Sequence, residues 1–194
     1  MKKIGILIFD EVEVLDFAGP FEVFNVAGRR DNLNPFEVFT ISEKPEPVMA
    51  RGKLAVTAHY TIKNHPKLDI LLIPGGYGSR AQLLNQTILD WIEGEAAKVE
   101  NLLSACTGAL LLGKLGLLDG LDCTTHFMAL DLLEEIAPKA KVHRDGRFYD
   151  NGKIITSAGV SAGIDMAFYM VAKLESQEIA EETAKYIEYP WPRE

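Results

Sequence analysis

Cysteine is scarce in this chain of 194 residues. There are two, Cys106 and Cys123, and neither belongs to a C-x-x-C pair. Two cysteines are too few for a disulfide scaffold. Histidine is almost as sparse: His59, His65, His126 and His143 include no pair at metal-ligand spacing, so no metal site is expected. Basic charge is short as well, with 20 Lys and Arg against 28 Asp and Glu, a net of −8. A surface with that balance has no basic face for phosphates, so neither nucleic acid nor an anionic membrane is an expected partner. No apolar run approaches the roughly 18 residues of a membrane span. The best, Gly108 to Leu118, is 11 long and contains Lys114. The N-terminus resembles a secretory leader only until acidic residues begin at Asp10, and no small-residue cleavage site follows. These absences together lead us to expect a reduced, cytoplasmic protein.

What is present suits a globular domain. Hydrophobic residues make up 47 % and charged residues 25 %, enough for a large core without staples. No internal repeat, linker or low-complexity tract divides the chain, so a single domain over residues 1–194 is expected. Lys2–Phe9, Phe36–Ile41, Leu68–Pro74, Asn101–Ala105 and Leu121–Thr125 read as strands, several with the unbroken apolar pattern of strands buried on both faces. Val48–Tyr60 reads as short antiparallel strands. Val142–Phe148 and Lys153–Ser157 read as strands around the turn Asn151-Gly152. Helices are expected from Pro20, over Ser79–Glu100, after Cys106, over Phe127–Ile136, and from Ser161 to Tyr189. The alternation predicts an α/β fold: a mainly parallel central sheet flanked by helices on both faces.

Several motifs fail on inspection. Gly159-Val160-Ser161-Ala162-Gly163 spells G-x-S-x-G, but every histidine precedes Ser161, against the Ser–acid–His order of that fold. The segment reads instead as a tight entry into the last helical region, with Ser161 as its cap. Gly108 to Leu115 nearly spells a Walker A loop but has Leu115 where Ser or Thr must hold magnesium. His143-Arg144-Asp145 lacks the later residues of a kinase. Asn85-Gln86-Thr87 is a sequon without consequence inside a cell.

Cys106 survives this filter. It follows a short apolar strand and opens a helical stretch, where free backbone N–H groups and the helix dipole favour an anion. A thiol pKa below that of free cysteine is therefore expected. The small neighbours Ala105, Gly108 and Ala109 allow a crowded turn. Gly75-Gly76 and the stretch Asp10 to Asp16 also follow predicted strands, and ligands of open α/β sheets bind at such carboxyl ends. A cysteine among small residues also reads as a buried hydrophobe, and that reading is preferred for Cys123, inside its predicted strand.

The segments SACTGALLLGKLGLLDG with CTTH, LDFAGPFEVF, ILLIPGGYG and ITSAGVSAGIDMAF together resemble the DJ-1/PfpI superfamily, over nearly the whole chain from about Lys3 to Tyr189. Within it the likeness is greatest to the isonitrile hydratase branch, which shares its domain with the sensor half of some AraC-type regulators. The resemblance implies a flavodoxin-like sandwich with a cysteine nucleophile elbow, and a homodimer. It implies Cys106 as nucleophile and Asp16 as the carboxylate beside it, with the Thr107 hydroxyl in the site. The N–H groups of Gly75-Gly76 and of Thr107 would serve developing negative charge, and His126 would either orient the site or stand as a structural histidine. No cofactor is implied. Glu22 is a second carboxylate candidate. Thr107 stands where a peptidase-like branch carries His, and no His-x-Glu follows His143 as amidotransferases require. Phe127 replaces a tryptophan common after TTH.

The implied activity is cysteine-dependent hydration of an isonitrile to an N-substituted formamide, acting on a small molecule. The alternatives are glyoxalase or deglycase chemistry on reactive dicarbonyls, and a non-catalytic redox or ligand sensor. Few residues follow Tyr189, so no DNA-binding half is expected.

Overall fold

The computed structural model describes residues 1–29 and 32–191. Its frame is a seven-stranded sheet. In chain order the strands are β1 (Lys2–Leu7), β2 (Phe36–Ser42), β3 (Val48–Met49), β4 (Ala55–Val56), β5 (Tyr60–Thr61), β6 (Ile70–Ile73), β7 (Asn101–Ser104), β8 (Asp122–Cys123), β9 (Lys141–Val142), β10 (Phe148–Asp150) and β11 (Ile154–Ser157). The main sheet has the order β10-β11-β7-β6-β1-β2-β5, parallel except for the edge strand β10. Ile4, Ile6 and Leu7, with Ile70 to Ile73, are wholly buried. Only a sheet covered on both faces buries consecutive residues in this way.

The helices are α1 (Val14–Val26), α2 (Ser79–Gln82), α3 (Gln86–Lys98), α4 (Ala109–Lys114), α5 (Leu130–Ile136), α6 (Ala162–Leu174) and α7 (Gln177–Tyr186). From β1 the chain crosses to β2 on one side; from β6 it crosses to β7 and then β11 on the other. Right-handed crossovers therefore put α1 on one face and α3 and α4 on the opposite face. The helices α6 and α7 pack with α1. Strand order reverses between β1 and β6, which makes that gap the switch point where α/β folds bind ligands.

Several elements differ from expectation. Helix α1 begins at Val14, not at Pro20, which lies inside it. The Gly19-Pro20 pair marks a helix contact: a Cβ on Gly19 would lie 2.7 Å from Ile164 Cγ1 of α6. Residues 79–100 form two helices, with the Asn85 side chain capping α3 through the Ile88 N–H. After Cys106 the α-helix is only six residues long. Residues 121–125 shrink to β8, which pairs with β9 outside the main sheet. The stretch expected as a strand over 142–148 bends at residues 144–147, with Gly146 at φ +77°. Tyr60 leaves the β3–β4 hairpin and joins the main sheet beside β2 in parallel register. The last helical region breaks at Glu175, where the Ser176 hydroxyl accepts the Ile179 N–H and starts α7.

Candidate active site

The chain leaves β7 at Ser104 and turns sharply. Cys106 has φ +52°, a left-handed conformation costly for a side chain with a Cβ. Its neighbours fix it there. The Cys106 N–H donates to the Ala158 carbonyl at 3.1 Å. Its carbonyl accepts from the Thr125 hydroxyl at 2.7 Å. Gly108 completes the turn, and a Cβ there would lie 2.1 Å from the Ile73 carbonyl oxygen. Cys106 ends up 5 % exposed.

Asp16, in the first turn of α1, is wholly buried. Its Oδ2 accepts the Gly75 N–H at 2.9 Å. Its Oδ1 is buried without a hydrogen bond of ordinary geometry. The remaining neighbours of the carboxyl group are the Cys106 thiol and the Val160 N–H. Burial raises the Asp16 pKa to about 7; the Gly75 N–H and the thiol pull it back, and the charge of Glu13 adds to the rise.

The expectation of a lowered thiol pKa is corrected here. Burial first, and the charge of Asp16 second, push Cys106 up to about 12, although the N–H groups of Thr107 and Val160 pull it down. The expected dipole comes from a helix of six residues that starts three positions beyond the sulfur, too little to offset desolvation and a facing carboxylate. Such groups titrate as a pair. Above pH 7 the pair holds one proton. With the proton on sulfur the carboxylate carries the charge; with the proton on Asp16 the sulfur is a thiolate.

Thr107 lies where the resemblance places it, but its hydroxyl is occupied. Its Oγ1 accepts the Gly76 N–H at 3.0 Å, donates to the Gly76 carbonyl at 3.1 Å and lies 2.9 Å from the Ser79 hydroxyl. The Gly75 and Gly76 N–H groups are thus spent on Asp16 and Thr107, which corrects their expected place as donors to the substrate. The donors that face the sulfur are the Thr107 and Val160 amides.

Val160 is the residue that sequence reasoning missed. It sits in the rejected G-x-S-x-G segment with φ +47°. Its turn is braced from behind: the Arg147 guanidinium pairs with buried Asp165 and donates to the Ser161 hydroxyl at 3.0 Å. The Tyr189 hydroxyl donates to Asp165 Oδ1 at 3.0 Å. Ser161 precedes α6 without capping it through its side chain.

His126 is half-buried, its ring packed against Gly159 and its Nδ1 accepting the Met128 N–H at 3.3 Å. Glu22 is exposed on α1 and is not among the residues that line the pocket. Cys123 is wholly buried in β8, its thiol pushed up to about 11 by burial.

An open pocket of about 300 Å³ lies over Cys106. Thr107, Gly76, Val160, His126, Ala129, Tyr77, Arg80, Arg51, Glu13 and Met128 line it with Cys106. A cleft of about 170 Å³ between Ile8, Asp10 and Pro47 is lined by no cysteine. Among the described residues no three His, Cys, Asp or Glu side chains converge as metal ligands would.

Comparison with known proteins places the chain among relatives of the same fold. Residues 2–173 match the model of the DJ-1/PfpI family. Isonitrile hydratase of Pseudomonas putida is 32 % identical over 190 residues, covering 96 % of this chain and 78 % of that protein. The HTH-type transcriptional regulator GbdR of Pseudomonas aeruginosa is 25 % identical over 179 residues, and the match spans 48 % of its length. A THiJ/PfpI family protein from Pseudomonas syringae superimposes with a TM-score of 0.87 at 30 % identity, covering 100 % of this chain and 77 % of that one. DJ-1beta of Drosophila melanogaster superimposes with a TM-score of 0.84 at 18 % identity, covering 98 % and 99 %. A buried cysteine on a strained strand-to-helix turn, a carboxyl group beside it and these matches over nearly the whole length lead to one statement: the chain belongs to the DJ-1/PfpI family.

Proposed function

We propose that this protein hydrates a small isonitrile to the N-substituted formamide, with Cys106 as nucleophile and Asp16 as proton carrier. The observation that carries the reading is the buried Asp16–Cys106 pair at the floor of an open pocket, poised to hold one proton. The 32 % identity to an isonitrile hydratase over 96 % of the chain supports it.

The chemistry balances on that proton. Asp16 protonates the isonitrile carbon while the Cys106 thiolate attacks it, giving a thioimidate and an Asp16 carboxylate. The carboxylate takes a proton from water as the hydroxyl adds to the carbon, and passes that proton to nitrogen. Collapse of the tetrahedral adduct breaks the carbon–sulfur bond and forms the formyl carbonyl. The hydroxyl proton returns to Asp16, and the thiolate is restored. One isonitrile and one water give one formamide, with no net proton released. The Thr107 and Val160 amides stabilise the thiolate at the start and at the end of the cycle. Gly75 and Thr107 serve by holding Asp16 and the glycine turn in place, and His126 walls the pocket.

The test is formamide formation from a small alkyl isonitrile by the parent protein and by Cys106→Ser. Turnover by the parent and none by the variant is the expected result. Absence of formamide from both, with Cys106 still open to alkylation, overturns the hydratase reading.

A further inference from the structure

The pocket wall carries three charged side chains, Glu13, Arg51 and Arg80, and the first two are engaged with charged neighbours. Arg51 Nη1 lies 2.5 Å from Glu11 Oε2. Glu13 acts electrostatically on Arg51 and on Asp16. Arg80 differs. Its guanidinium has no ion pair or side-chain hydrogen bond among the described residues; its contact is the face of Tyr77, with Cζ 5.6 Å from the ring centroid. Arg51 approaches the same ring at 5.9 Å. Tyr77 is 67 % exposed, and Met128, which also lines the pocket, is 76 % exposed. The wall of the pocket is therefore an amphipathic platform: a ring, a thioether and one unspent planar cation. It lies on a chain whose net charge is −8.

From this geometry we infer that the pocket selects a substrate with a carboxylate as well as its electrophilic carbon, and that Arg80 is the specificity-determining residue. The guanidinium fork matches a carboxylate through two parallel hydrogen bonds, and its stack on Tyr77 presets the plane of that fork. One unspent cation balances one negative charge. A phosphate, near −2, needs a second free cation, and Arg51 is held by Glu11. The inference rests on the proposed reading for the nature of the electrophile, but not for the carboxylate site itself.

Two experiments separate the inference from that reading. The first needs no turnover. Alkylation of Cys106 is timed with iodoacetate and with iodoacetamide, reagents that differ by a carboxylate, on the parent, Arg80→Ala, Arg80→Lys and, as a control outside the pocket, Glu22→Gln. Arg80→Ala is expected to slow iodoacetate about tenfold while leaving iodoacetamide within about twofold, as loss of one charge-assisted contact would. Arg80→Lys retains part of the effect, and Glu22→Gln none of it. An iodoacetate-to-iodoacetamide ratio that is the same in parent and Arg80→Ala overturns the inference. The second experiment compares hydration of isocyanoacetate and of its methyl ester. A parent preference for the anion that disappears in Arg80→Ala supports the inference. Hydration of both compounds with equal preference in parent and variant leaves the reaction standing and removes the carboxylate site. A ratio that falls in the alkylation arm, with neither isonitrile hydrated, retains the carboxylate site and removes the hydratase.

Discussion

Asp16 and Cys106 divide one proton, and the division makes the pH behaviour of each testable. Asp16 rises from 3.8 to about 7 in the folded chain. Alkylation of Cys106 by iodoacetamide is expected to quicken through pH 7, as the pair drops to one proton, and then to level off. In Asp16→Asn that inflection is expected to vanish, and formamide turnover to fall by about 10²- to 10⁴-fold, the usual range for loss of a proton carrier. The same shift sets a sign for stability. A carboxyl group with a raised folded pKa binds a proton that the unfolded chain has released, so its contribution falls as pH climbs from about 4 to about 7 and stays low above. Asp16→Asn is thus expected to unfold at a higher temperature than the parent at pH 8, by an effect of at most about 4 kcal/mol, and to show no gain at pH 4. Thermal melts at the two pH values check it. Cys106 and the stretch Asp10 to Asp16 were legible in the sequence, because each follows a strand, whereas Asp16 itself was singled out by the family resemblance. The protonation state was not legible: a dipole argument sees the helix that follows Cys106 but not the burial and the facing charge. Val160 was illegible for another reason. Nothing in a β-branched residue announces a left-handed backbone, which tertiary contacts impose against its preference.

At the scale of the element, the elbow depends on close approach. The Gly108 Cα faces the Ile73 carbonyl so tightly that a methyl group there would lie 2.1 Å from the oxygen, and backbone cannot step aside as a side chain can. Gly108→Ala is expected to cost at least about 3 kcal/mol in a urea melt, at the upper end of overpacking, whereas Gly94→Ala, on exposed helix with open space around it, should stabilise slightly. The long apolar strands were legible because burial on both faces leaves continuous runs. Short elements were less so. The Gly19-Pro20 pair carries a helix-start signal, yet α1 starts at Val14, with Asp16 in its first turn accepting the Gly75 N–H, and the glycine serves contact with α6 instead. The strand expected over residues 142–148 is interrupted at residues 144–147, where Gly146 takes φ +77° and Arg144 turns outward to Asp131 and Glu134 of α5. That pairing is between residues distant in sequence, and local pattern does not show it.

At the scale of the molecule, the α/β architecture followed from the alternation of apolar runs and helical segments, whereas the switch point between β1 and β6 emerged only from the strand order of the folded sheet. The two cysteines measure different things on this frame. Cys106 opens onto the pocket, whereas Cys123 is wholly enclosed and has no carboxyl group in hydrogen-bond contact to take its proton. Iodoacetamide is expected to modify Cys106 in the native protein and Cys123 only as urea unfolds the chain; mass spectrometry of the two peptides along a urea series checks this, and equal native rates would count against the elbow. No helix among the described residues is long and apolar enough to cross a membrane. One long-range tie remains. Tyr189, beyond the end of α7, bonds to the same Asp165 that anchors Arg147 behind the Val160 turn. Tyr189 is thereby a tenon in the joint that aims an amide at the sulfur. Loss of that one hydroxyl would slacken the nucleophile's surroundings from outside the pocket, with every pocket residue left in place.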